Sequence, residues 1–149
     1  MKKDNIRDYA TAAFQYYAKM GKPTYRSLKA QLMADALGQY QKVKSDCKGT
    51  EVSKPTEAAV LYAEKEIESR EAELLDILAV EKVCEMLHFE ERKAVELVYF
   101  QIISRDFKKG EISNLVCNAS LMIPASERTV YYYLSKARKM FAIERGLRV

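Results

Sequence analysis

Apolar residues in this chain return every three or four positions over almost its whole length and nowhere alternate with polar ones in a β-branched run. That period places side chains on one face of an α-helix, whereas a half-buried strand needs a period of two. Little interrupts it, because only five Gly and three Pro occur in 149 residues. The expected fold class is therefore all-α, and the few breaks define the segments.

The first segment, about Asp4 to Met20, carries Ile6, Tyr9, Ala10, Ala13, Phe14 and Tyr17 on one face and meets a stop at Gly21. Thr24 suits the N-cap of a second helix reaching about Val43, with Tyr25, Leu28, Leu32, Ala36 and Tyr40 on one side. Together these predict a helical hairpin over residues 1–45. The text S-D-C-K-G-T-E-V-S-K-P from Ser45 to Pro55 has no periodicity and reads as a linker. A long acidic helix is expected over residues 56–88. Val60, Ala63, Ile67, Leu74, Ile77 or Leu78, and Cys84 follow a near-heptad rhythm in it that Arg70 and Glu81 interrupt. Such a seam serves packing or a homodimer equally well.

Residues 89–149 form the third expected domain. Glu90 opens an amphipathic helix running to about Ser104, with Ala94, Leu97, Val98 and Ile102 inward and Glu91 and Glu96 toward water. After the polar turn R-D-F-K-K-G, residues Glu111 to Ala119 read as a short helix burying Ile112, Leu115, Val116 and Ala119. Pro124 then forces a turn, since it cannot continue a helix and disfavours helical geometry at Ile123. Beyond it lies S-E-R-T-V-Y-Y-Y-L-S-K-A-R-K-M-F-A, with Ser126 as N-cap and Glu127 at the positive end of the helix dipole.

Charge divides the chain along the same lines. Residues 1–48 carry +6, residues 49–103 carry −7 and residues 104–149 carry +5, within a formal total of +4. A polyanion would thus be met by the two ends, leaving the acidic middle for packing or self-association. Three cysteines and one histidine, His88, make no metal-ligand spacing or disulfide framework, so no cofactor or metal is expected. The start Met1-Lys2-Lys3-Asp4 leads into no apolar run and no stretch could span a bilayer, so a cytoplasmic protein without membrane contact is expected. A single histidine, no glycine-rich phosphate loop and no paired acidic motif argue against an enzyme.

With Val130, Tyr133 or Leu134, Ala137 and Phe141 inward, the last helix turns Glu127, Arg128, Tyr131, Tyr132, Ser135, Lys136, Arg138 and Lys139 outward. A short helix, a tight break and a second helix with an apolar inner stripe is the helix-turn-helix plan, in which the second helix meets base edges in the major groove. Arg128 suits guanine, Glu127 a cytosine amine, and Tyr131 or Tyr132 a thymine methyl or a phosphate. Lys136, Arg138 and Lys139 are expected on phosphates.

The text L-H-F-E-E-R-K-A-V-E-L-V-Y-F, followed by I-S-N-L-V and S-E-R-T-V-Y-Y-Y-L-S-K-A-R-K, resembles the promoter-element-reading C-terminal region of bacterial sigma factors over residues 87–141. It is most similar to phage transcriptional regulators of the ArpU/RinA type, which also share the P-T-E-A-A of Pro55 to Ala59. The resemblance implies a sigma-region-4-like helix-turn-helix and regulation of prophage late genes, with double-stranded DNA as partner and host RNA polymerase as a second one. Ser126, Glu127, Arg128, Thr129, Tyr131 and Tyr132 would lie at the DNA. One departure is the break C-N-A-S-L-M-I-P-A-S, longer than the L-G-I-S usual in the family. The alternative function is a small terminase-like DNA-recognition subunit for phage packaging, which also joins such a head to a helical oligomerisation region.

Overall fold

A computed structural model of the chain describes residues 5–45, 57–101 and 110–147. Most of the expected linker, the turn before Gly110, Ile102 and Cys47 lie outside the described residues. Among those described are seven α-helices, one 3₁₀ turn and no strand: α1 (Asn5–Lys19), α2 (Tyr25–Ser45), α3 (Glu57–Ser69), α4 (Glu71–Met86), α5 (Phe89–Val98) leading into the 3₁₀ turn Tyr99–Gln101, α6 (Glu111–Met122) and α7 (Glu127–Glu144). None is long and apolar enough to cross a membrane.

The chain forms two compact units, one of residues 24–75 and one of residues 1–23 with 76–149. The division falls between α1 and α2. α2 packs on α3 within the smaller unit, while α1 packs on the 3₁₀ turn and on α7 within the larger. Periodicity shows that α1 and α2 each have an apolar face but not which face meets which. The termination of α1 did follow the sequence. Gly21, at φ +84°, takes the left-handed residue of a Schellman stop, in which Lys22 N–H donates to Tyr17 C=O and Gly21 N–H to Ala18 C=O. Thr24 Oγ1 caps α2 by accepting from Ser27 N–H at 3.1 Å.

The expected long acidic helix is broken at Arg70 into α3 and α4. Ser69 Oγ turns back to Glu66 C=O at 2.6 Å and Arg70 N–H bonds to Ile67 C=O, a tighter pitch that ends the α3 ladder. The near-heptad seam is occupied within the chain: Ala63, Ile67, Leu74 and Ile77 are all buried. Val60 of the same series remains 37% exposed and Cys84 half-buried.

The larger unit is built around an aromatic stack. Phe14 of α1 lies 5.6 Å from the Tyr99 ring and 5.8 Å from the Phe141 ring, and Tyr9 closes on Phe141 at 5.8 Å. Around it are buried Ala10, Val80, Val83, Val98 and Leu134. A polar clasp ties three helices together at its edge: the Tyr9 hydroxyl and Arg145 Nε both donate to Asp76 Oδ1 at 2.6 Å. Arg145 caps α7, after which Gly146 at φ +69° allows Leu147 N–H to reach Ala142 C=O. Asp76→Asn keeps the shape of this clasp but removes its charge, so a loss of about 1–2 kcal/mol of stability is expected. A double-mutant cycle with Arg145→Met, followed by denaturant unfolding, checks it, and strict additivity of the two substitutions would show the pair to be energetically silent.

Candidate nucleic-acid interface

α5, α6 and α7 pack on one another pairwise. α6 buries Val116 and Ala119, and α7 buries Val130, Leu134, Ala137, Phe141 and Ala142, so each presents one apolar edge to the shared core. Ile112, Leu115 and Leu97, expected to be fully inward, are half-buried at its rim. The helix expected to end at Ala119 continues to Met122, since nothing before Pro124 breaks the ladder. The connection to α7 is therefore only Ile123 to Ser126, and the long break seen in the sequence is mostly an extra turn of α6. Ala125 N–H donates back to Ser120 C=O across this turn at 3.2 Å, and Ile123 is buried beneath it.

Ser126 opens α7 as expected, its hydroxyl accepting from Thr129 N–H at 3.1 Å and lying 2.8 Å from the Thr129 hydroxyl. This cap fixes where the helix begins and hence which side chains its first turns present. Glu127, Arg128, Tyr131, Tyr132 and Lys139 are exposed. Tyr132 is the most open of the three consecutive tyrosines at 66% exposure, whereas Tyr133 folds down and donates its hydroxyl to Glu90 Oε2 at 3.2 Å. Ser135 and Thr129 are half-buried shoulders of the same strip.

Lys136 and Arg138, both expected on phosphates, also hold partners within the head. Lys136 Nζ lies 2.8 Å from Glu91 Oε2, and Arg138 Nη1 donates to the Tyr99 hydroxyl at 2.7 Å. Glu91 does not face water as its position in the helical pattern suggested; it is only 5% exposed. Its other oxygen accepts from His88 N–H at 3.1 Å, so one carboxylate finishes the start of α5 and anchors the middle of α7. Burial by itself would push this carboxyl up, but the Lys136 ammonium and the His88 N–H outweigh it and hold it below the ordinary carboxylate range. The Lys136 ammonium is correspondingly pushed up by its bond to Glu91. The glutamate three residues after a helix-start position was the available signal for this role.

The strip on α7 is thus held rigidly from behind by Glu90, Glu91 and Tyr99, none of which the pattern had assigned to the site. It is cationic at Arg128 and Lys139, aromatic at Tyr131 and Tyr132, and carries one acid at Glu127. α6 adds an exposed polar edge of Ser113, Asn114 and Asn118. No protein-family model, curated protein or solved structure matches the chain.

Other chemistry is sparse among the described residues. No grouping of His, Cys, Asp and Glu there could hold a metal ion. Cys117 is exposed on α6, while Cys84 is half-buried in α4, where burial pushes its thiol up to about 11. At neutral pH that group is a protonated, weakly reactive thiol.

Proposed function

We propose that the protein is a sequence-specific double-stranded DNA-binding transcriptional regulator that reads the major groove with α7. The observation that carries the reading is the combination at the start of α7: a capped first turn, an exposed strip of hydrogen-bonding, aromatic and cationic side chains, and a back face locked onto α5 and α6. A rigid helix that follows a four-residue turn and presents such a strip suits base-edge readout. The likeness of residues 87–141 to the promoter-reading region of sigma factors, and of the chain to ArpU/RinA-type regulators, supports prophage late genes as its targets and host RNA polymerase as a further partner.

Within this reading Arg128 is the principal base contact. It is exposed in the first turn, and among the described residues no carboxylate forms a salt bridge with it. Sequencing of genomic fragments retained by the purified protein identifies the preferred site, and titration of that site and of random duplex follows. Arg128→Ala is expected to weaken the specific site by about 1–3 kcal/mol while leaving random duplex nearly unchanged. Equal losses on both would reduce Arg128 to a phosphate contact, and retention of no fragment above background would overturn the proposed function.

A further inference from the structure

The smaller unit has an open groove of about 430 Å³ between α2 and the α3–α4 segment. Its floor is apolar, with Met33 on one side and Ile67, Leu74 and Leu75 on the other. Its walls carry opposite charge. On α2, Lys29 stands beside Tyr25, its ammonium 5.7 Å from the ring centroid, while Arg26 lines the adjoining hollow formed by Tyr25, Lys29, Ala30 and Met33. On the facing wall Glu64, Glu68 and Glu71 recur at four- and three-residue intervals and are exposed.

We infer that this groove is a homodimer interface, in which two copies meet about a two-fold axis. A two-fold contact uses the same patch on both partners, so the patch must be complementary to itself. A surface with a lysine on one wall, a row of glutamates on the other and an apolar floor between them meets that requirement in its charges. Rotation by a half turn sets Lys29 of one copy against the glutamate row of the other, and the reverse, while Leu75 and Met33 cover their counterparts. The glutamate row could not serve a contact of α3 with its own copy, because like carboxylates would face one another. The near-heptad residues Ile67 and Leu74 are themselves buried and only floor the groove, which leaves exposed Leu75 and half-buried Met33 as its apolar contact. In the groove an acidic segment and a basic neighbour stand side by side and can attract a second copy.

Charge reversal tests this at surface positions where substitution leaves the fold intact, as a melting curve for each variant verifies. Sedimentation at micromolar concentration and low salt is expected to give a dimer for the native chain. Lys29→Glu alone and Glu68→Lys alone are expected to be monomers, since each sets like charges together in both halves of the contact. Mixed in equal amounts, the two variants are expected to recover the dimer mass as a heterodimer, because each substituted residue then meets its opposite. A monomeric native chain, a dimer that survives either single reversal, or a mixture that remains monomeric would each overturn the inference. The readout does not involve DNA, so it stands or falls separately from the proposed function.

Discussion

Phe141→Ala is expected to lower the unfolding free energy by about 3–5 kcal/mol, the range for truncating a buried phenylalanine. The side chain is fully buried and lies against two rings of α1, Tyr9 and Phe14, each with a centroid 5.8 Å away. Truncation therefore removes apolar burial and aromatic contacts together, and leaves a void that α1 and α7 would have to close. Small single domains hold only about 5–15 kcal/mol in all, so the loss takes a large part of what is available. Chemical denaturation gives the value, and a shift below about 1 kcal/mol would mean that α1 does not depend on α7 for its place. Phe14→Leu, which keeps most of the volume, is the milder companion and is expected to cost about 1 kcal/mol.

That dependence was hidden in the sequence. The apolar faces of α1 and α7 are each legible: Ala10, Ala13, Phe14 and Tyr17 on one, Val130, Leu134, Ala137 and Phe141 on the other, all buried as their spacing required. Spacing describes one helix at a time, however. That α1 would pack on a helix more than a hundred residues away is a choice among matching apolar faces, made by packing and not by propensity. Breaks were legible where a residue's own backbone enforces them. Gly21 ended α1 and Pro124 ended α6, but the break at Arg70 coincides with a Ser69 hydroxyl bond to the backbone and an i−3 bond of the Arg70 N–H, and leaves only a faint sequence mark.

The candidate site divides in the same manner. Exposed positions of α7 followed from its apolar stripe, so Arg128, Tyr131, Tyr132 and Lys139 stand where the period put them. Lys136 and Arg138 satisfied the same pattern yet bend back to Glu91 and Tyr99, because long cationic side chains at the edge of a stripe can reach a partner on the next helix. Helical phase gives the direction of a Cβ, not the end of a five-atom chain.

The Glu91–Lys136 pair accordingly makes a prediction whose two readouts move in opposite directions. Glu91→Gln preserves the shape and the acceptor for His88 N–H but removes the charge that holds the Lys136 ammonium. Stability is expected to fall by about 1–3 kcal/mol at neutral pH, the range for hydrogen bonds to a charged group. The folded carboxyl lies below its ordinary value, so this contribution is present above the unfolded value of about 4.3 and is lost as pH falls through the lower folded one. The native chain and Glu91→Gln should therefore differ in stability at pH 7 and converge in stronger acid. On the proposed DNA-binding reading, the released Lys136 becomes available to a phosphate from its place on the exposed side of α7. Affinity for random duplex should then rise severalfold at low salt, and the salt dependence should steepen by about 0.9 in log–log slope, the increment for one added phosphate contact. A variant that is less stable and binds random duplex with an unchanged slope would show that Lys136 cannot reach the backbone even when freed. In that case the ion pair serves only to set α7 on α5, and the phosphate contacts must be sought at Lys139 and along the polar edge of α6.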